Sequence, residues 1–154
     1  MVSMLVTLAA SCVPPTNDRT QPERFVRERI SMPGDASLVE ITEIVDGPSL
    51  VLIARFDTMP TWFDSAEGPA SNAAAMFHPD LAYTVTQSRR DVSSSGPIQI
   101  QYYQLDDQSM SCLAVQNDAP PTAFAAGERN VLRLHCDPEL IANNQMTLER
   151  LLSF

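Results

Sequence analysis

The sequence predicts an α+β fold in which β-hairpins form an antiparallel sheet and a short helix lies at the C-terminal end. Two observations predict this fold. Short runs of branched and aromatic residues alternate with turn residues such as Asp46-Gly47-Pro48. Near the C-terminal end, leucines recur at helical spacing. With 154 residues, of which 44% are hydrophobic and 19% charged, we expect a single globular domain rather than a disordered chain.

Residues 1–11 predict a secretory signal. Their apolar run carries no charge and is too short to span a bilayer, which needs about 20 apolar residues. The run ends in Ala9, Ala10 and Ser11, the small residues typical of a cleavage site. Because no Arg or Lys precedes the run, one interpretation places the true start upstream of Met1. The alternative is that this run is a buried element of the domain and Cys12 an ordinary thiol.

The sequence Ala9-Ala10-Ser11-Cys12 resembles the lipobox of bacterial lipoproteins. The resemblance implies cleavage before Cys12, a diacylglycerol on its sulfur and a membrane-tethered domain, which two or three acyl chains hold firmly. Val13 follows the cysteine, and in bacteria with two membranes this implies the outer membrane, with the domain facing the periplasm. Residues 12–22 are polar and rich in proline, so we predict a flexible tether ahead of one globular domain over residues 23–154.

Export also gives a role to the two remaining cysteines, Cys112 and Cys136. In an oxidising compartment such a pair normally forms a disulfide, and closing a loop of this size contributes about 3 kcal/mol. They do not form a CxxC redox motif, which favours a structural cross-link over redox chemistry. The alternative is a cytosolic protein with two separate buried thiols.

The sequence of the first half of the domain predicts one hairpin followed by one long loop. Residues 22–30 fit either a helix, because Thr20 and Glu23 have capping-box spacing, or a strand. Residues 38–45 and 50–56 flank turn residues and predict a hairpin whose second strand is covered on both faces. The long loop that follows contains one predicted helical turn at residues 72–77. In it Trp62 either pins the loop to the core, which we favour, or faces a ligand.

The second half predicts three further strands, over residues 98–105, 110–116 and 130–136. Antiparallel pairing of the two cysteine-bearing strands would allow the disulfide. Residues 81–90 are ambiguous, although alternating apolar residues suggest a strand, and residues 91–97 predict a loop. A helix-start signal lies at Asp137-Pro138-Glu139, and Thr147 could start another helix. The apolar face of the predicted C-terminal helix consists of Leu148, Leu151, Leu152 and Phe154.

Composition and motifs exclude several classes of function. The net charge of −9 disfavours binding of nucleic acid and of anionic lipid headgroups. All ten basic residues are Arg, so neither a Schiff-base lysine nor a P-loop lysine is available. No G-x-S-x-G sequence occurs, and a zinc site formed by His135, Cys112 and Cys136 would lack a CxxC pair. His78 is the only other histidine. We therefore predict no catalytic residue, no cofactor and no metal site.

These observations predict a lipid-anchored protein of the cell envelope with a structural or protein-binding role. Its expected partners are the membrane, through Cys12, and an envelope protein. One alternative is an acidic inhibitor or adaptor that binds a basic envelope protein through Trp62 and its acidic surface. A second alternative is a hydrolase whose serine or carboxylate site no motif reveals, which a pocket with clustered Asp, Glu or His would support.

Overall fold

Seven strands form one antiparallel sheet in the computed structural model, which describes residues 23–28, 38–56, 67–106, 110–118 and 130–154. In chain order the elements are β1 Glu23–Glu28, β2 Leu38–Asp46, β3 Ser49–Phe56, α1 Pro69–Phe77, β4 Tyr83–Ser93, β5 Gly96–Leu105, β6 Met110–Asn117, β7 Asn130–Asp137 and α2 Gln145–Leu152. Across the sheet the strand order is β1-β2-β3-β7-β6-β5-β4. Among the described residues, no helix is long and apolar enough to cross a bilayer.

The sheet consists of two meanders that meet at the pair of β3 and β7. Strands β1 to β3 are consecutive neighbours, as are β4 to β7, and the register between β3 and β7 runs from Leu50↔Cys136 to Phe56↔Asn130. The predicted antiparallel sheet built from hairpins is therefore confirmed. Since only two short helices accompany the strands, the described part of the chain is mainly β. Over residues 23–28, where the sequence left helix and strand open, the chain forms β1.

Helix α1 covers one face of the sheet, here called the α1 face. Ala70 and Ala73 are completely buried, and their small side chains let the helix approach the strands closely. Because side chains alternate along each strand, every second residue of β3, β5, β6 and β7 points to this face of the sheet. The buried sheet residues on this face include Leu52, Ala54, Phe56, Tyr103, Leu105, Cys112, Ala114, Leu132, Leu134 and Cys136.

Helix α2 covers the opposite face, here called the α2 face. Leu148 and Leu151 are buried against a second apolar cluster formed by Ile98, Ile100, Tyr102, Leu113 and Val115. The side chain of Asn144 caps the helix by accepting hydrogen bonds from the N–H groups of Met146 and Thr147. The predicted C-terminal helix is confirmed.

The structure differs from the sequence prediction at two surface segments. No helix begins at Asp137; its carboxylate accepts a hydrogen bond from the N–H of Glu139, and this segment forms a turn. The loop predicted over residues 91–97 is mostly strand, because β4 continues to Ser93 and a two-residue turn leads into β5. Gly96 follows that turn with φ 107°, a conformation that favours glycine. The Oγ of Ser93 donates to the carbonyl oxygen of Gly96, which fixes the hairpin.

Candidate functional site

The predicted disulfide joins Cys112 and Cys136, and it is confirmed. The two cysteines lie directly opposite each other on β6 and β7, with their Cα atoms 4.1 Å apart. Both belong to the α1 face and are essentially inaccessible to solvent. The cross-link therefore joins the middle of the sheet beneath α1, and a reductant can reach the sulfurs only when the domain opens.

His78, which ends α1, lies beside this disulfide. One of its ring nitrogens and the two sulfurs lie within 4.8 Å of one another. Two thiolates and an imidazole are zinc ligands, but sulfurs that are bonded to each other offer no thiolate. The oxidised cluster is thus a cross-link packed against an imidazole. His135, considered above as a zinc ligand and set aside, does not join this group, because successive strand residues point to opposite faces.

His135 instead lies on the α2 face, where it hydrogen-bonds Ser49. The Oγ of Ser49 and the Nε2 of His135 are 2.8 Å apart and link the ends of β3 and β7. The pair borders a recess of about 30 Å³ that also contains Asp46 and Arg150. Ile44, Val51, Thr147, Leu151 and Phe154 complete its lining.

A serine hydroxyl bonded to an imidazole is the chemical core of acyl-transfer enzymes, since the imidazole can take the hydroxyl proton as the serine attacks. The recess beside Ser49 is too small for that role in this conformation. Its volume of about 30 Å³ is far below the roughly 300–1,000 Å³ of pockets that hold small ligands. In the structure the pair links the ends of β3 and β7 beside helix α2.

Burial lowers the pKa of His135; the nearby Asp137 carboxylate opposes this shift, and Arg150 adds to it. The folded state therefore binds this proton less readily than the unfolded chain, whose histidine titrates near pH 6.5. The contribution of neutral His135 to stability is complete above about pH 6.5 and is lost as the pH falls through the lowered pKa.

Replacing His135 with Gln is expected to flatten the pH dependence of stability in that window. The amide of Gln can still hydrogen-bond Ser49 but takes up no proton, so the number of protons bound on unfolding should fall by at most one. Urea titrations of both proteins between pH 5 and pH 8 measure the difference. Identical slopes for wild type and His135→Gln would show that His135 is not the titrating group.

A second polar cluster on the α2 face fixes the end of the described chain. Arg55 forms an ion pair with Glu40 and donates to the carbonyl oxygen of Phe154. Arg133 lies two residues before His135, and burial together with the neighbouring Arg55 lowers its pKa. The Arg55 guanidinium thus links β2, β3 and the segment after α2.

A polar ladder beneath α1 was not predicted from the sequence. The Nδ2 of Asn72 donates to the Oε1 of Gln116 at 2.7 Å, and Gln116 in turn donates to the Oε1 of Gln99 at 3.2 Å. The Nε2 of Gln99 in turn donates to the carboxylate of Asp118, and Asp118 forms an ion pair with Arg90 on the surface. The ladder satisfies buried amides and connects α1 to β6, β5 and β4.

A neighbouring glutamine holds the start of α1. The Oε1 of Gln101 accepts a hydrogen bond from the N–H of Ala70 at 2.9 Å, which satisfies one of the free donors of the helix. Its Nε2 donates to the carbonyl oxygen of Glu67. Gly68 caps the helix with φ 89°, and a Cβ there would lie 2.8 Å from the Gln101 amide. The positive φ, together with the Gln101 amide packed against this position, favours glycine here.

Other residues singled out in the sequence fall outside the described part of the chain. Cys12, with the signal and the tether, is one of them, and Trp62 is another. The three serines of residues 93–95, within the predicted loop, lie at the turn between β4 and β5, where the Oγ of Ser93 bonds the Oγ and the N–H of Ser95. Comparisons of the chain with protein-family models, curated proteins and solved structures found no match.

Proposed function

We propose that this chain is an exported lipoprotein of the cell envelope, anchored through Cys12, whose domain has a structural or protein-binding role without catalysis. The observation that supports this proposal best is the disulfide between Cys112 and Cys136. Structural disulfides persist in oxidising compartments and are rare in the cytosol. A cross-link in the middle of the sheet agrees with a chain that crosses the inner membrane before it folds.

The three cysteines then have two different roles. Cys112 and Cys136 are consumed in the cross-link, which leaves Cys12 as the cysteine available for lipid. We assign the outer membrane, with the domain facing the periplasm, and a protein of the envelope as the partner. We also assign the fold to the α+β class, because α1 and α2 each cover one face of the sheet.

Metabolic labelling with radioactive palmitate in the native host tests the anchor. Wild type and a Cys112→Ser/Cys136→Ser variant should both incorporate label, because both retain Cys12, the lipid acceptor. Cys12→Ala should incorporate none, which is an all-or-none effect visible on a gel. A Cys12→Ala chain that is labelled as strongly as wild type would end the proposal.

A hydrolase is the second candidate, and the bond between Ser49 and His135 is the observation that favours it. Its nucleophile would be Ser49 and its general base His135. A fluorophosphonate probe, which reacts with activated serines, separates the two candidates. We expect no labelling of the folded wild-type chain. Labelling that disappears in Ser49→Ala but survives in Ser93→Ala would replace the first proposal with the second.

A further inference from the structure

Strand β4 is one edge of the sheet, and it is long for an edge strand. It has 11 residues, and of the described elements only β5 pairs with it. Most of its side chains are exposed, including Val92 with 77% of its surface accessible. An edge strand of this kind presents a row of backbone donors and acceptors to another strand.

The hydrogen bonds at the end of the sheet show which residues form that row. The carbonyl oxygen of Pro97 accepts from the N–H of Asp118 and so points to β6. The N–H and C=O groups of the next residue, Ile98, must therefore point to β4, where Ile98 lies opposite Asp91. The direction of the N–H and C=O groups alternates along a strand. Those of Asp91 and Arg89 therefore bond to β5, whereas those of Ser88, Arg90 and Val92 point away from the sheet.

The side chain of Asp91 supports this assignment. Its carboxylate accepts a hydrogen bond of 2.8 Å from the N–H of Val92, so that N–H is not used by β5. In the single chain, an acidic side chain thus covers one of the outward donors. Such charged protection is typical of an unpaired edge strand, and a strand that pairs here must displace the carboxylate from this N–H.

We propose that β4 pairs antiparallel with β4 of a second copy of this chain, around a two-fold axis that is perpendicular to the sheet and lies midway between the two Arg90 residues. In this register Arg90 faces Arg90 of the second copy, and Ser88 faces Val92. All of these residues have outward backbones, so they form hydrogen-bonded pairs. The two seven-stranded sheets would become one continuous sheet of fourteen strands.

Charge complementarity selects this register. Between the hydrogen-bonded pairs, Arg89 lies directly opposite Asp91 of the second copy on the α2 face, and the two-fold axis produces this pair twice. Residues opposite each other at such positions have Cα atoms only about 4.5 Å apart, close enough for an ion pair. Within the single chain, the Nε and one terminal nitrogen of Arg89 are buried without a hydrogen-bond partner. Because these two nitrogens have almost no accessible surface, the Arg89 side chain would turn outward on association, and the Asp91 carboxylate of the second copy would then supply the acceptor they lack.

The remaining charges permit this contact. Arg90 would lie opposite itself on the α1 face, but each Arg90 already has Asp118 of its own chain at 2.9 Å. Residues 88–92 carry two arginines and one aspartate, and Asp118 balances Arg90, so the two edges bring together little net charge. At physiological salt the remaining acidic surface is screened beyond about 8 Å. The proposal does not depend on the lipid anchor.

Charge-swap variants analysed by sedimentation velocity test the proposal. The proteins are full-length chains carrying Cys12→Ala, so that a lipid cannot cause association. The reference chain should form dimers that dissociate on dilution. Arg89→Asp puts two aspartates in each pair and Asp91→Arg two arginines, so each variant alone should dimerise at least tenfold more weakly. An equimolar mixture of the two restores both opposite-charge pairs, and its dimers should return to the reference affinity.

Two controls separate this contact from other causes. Glu139→Arg, on an exposed turn distant from β4, changes charge as Asp91→Arg does and should leave dimerisation unchanged. Arg90→Pro removes an outward N–H, a change that an edge strand tolerates, and should abolish the dimer while the domain stays folded by circular dichroism. A reference chain that remains monomeric at millimolar concentration, or a mixture that remains as monomeric as its components, overturns the proposal.

Discussion

Replacing Cys112 and Cys136 together with alanine is expected to lower the free energy of unfolding by about 3 kcal/mol. The cysteines are 24 positions apart, and their cross-link removes the corresponding loop-closure entropy from the unfolded chain. Both cysteines are buried in the apolar cluster of the α1 face, so the small cavity that the sulfurs leave adds to this loss. For a domain of this size, a loss of that magnitude is a substantial part of the total stability.

Urea denaturation with and without a strong reductant measures this effect. The wild-type midpoint should fall in reductant, whereas the Cys112→Ala/Cys136→Ala midpoint should already be low and should not move. Cys12→Ala is the matched control, since it removes a cysteine outside the cross-link and should respond to reductant as wild type does. A wild-type midpoint that ignores complete reduction, verified by thiol titration, would contradict the prediction.

Replacing Gln116 with Leu is expected to cost about 2–3 kcal/mol. Gln116 has 1% of its surface exposed and bonds both the amide of Asn72 and the amide of Gln99. A leucine fills a similar volume but leaves two buried polar groups without the partner they have now. The cost of an unmet buried hydrogen bond exceeds the gain from a more apolar side chain.

A double-mutant cycle identifies the ladder as the cause. Asn72→Ala should cost less in the Gln116→Leu background than in wild type, with a coupling of about 1 kcal/mol. Gln104→Leu is the control, because Gln104 lies on the same sheet but is exposed, and it should change stability by less than about 0.5 kcal/mol. If Gln116→Leu were as stable as wild type, the ladder would not hold α1 on the sheet.

Local patterns predicted most of the strands, because alternation and turn residues act within a few positions. The runs at β2, β3, β5, β6 and β7 all contain this signal, and the leucines of α2 have helical spacing. The partnership of β3 with β7 could not be predicted, since it joins residues about 80 positions apart and depends on the whole sheet. The disulfide was predicted from cysteine number and compartment, and the strand register then placed the two sulfurs together.

The glutamines of β5 show where pattern reasoning fails. In residues 98–105 the alternation of Ile and Gln predicted a strand but did not show where its polar side chains lie. In the structure both faces are covered, and Gln99 and Gln101 lie under α1, where they bond other buried groups. Side-chain polarity alone does not reveal a partner that comes from a distant helix. The separation of His135 from the sulfurs, in contrast, follows from strand alternation alone.

The intact mass of the mature protein, isolated from the membranes of its native host, tests the central claim most directly. We predict a chain that begins at Cys12, carries a diacylglycerol on that sulfur, and has the two hydrogens lost that correspond to the Cys112–Cys136 disulfide. An unmodified chain recovered from the soluble cytosolic fraction, with all three thiols open to alkylation, would contradict both the anchor and the export of this protein.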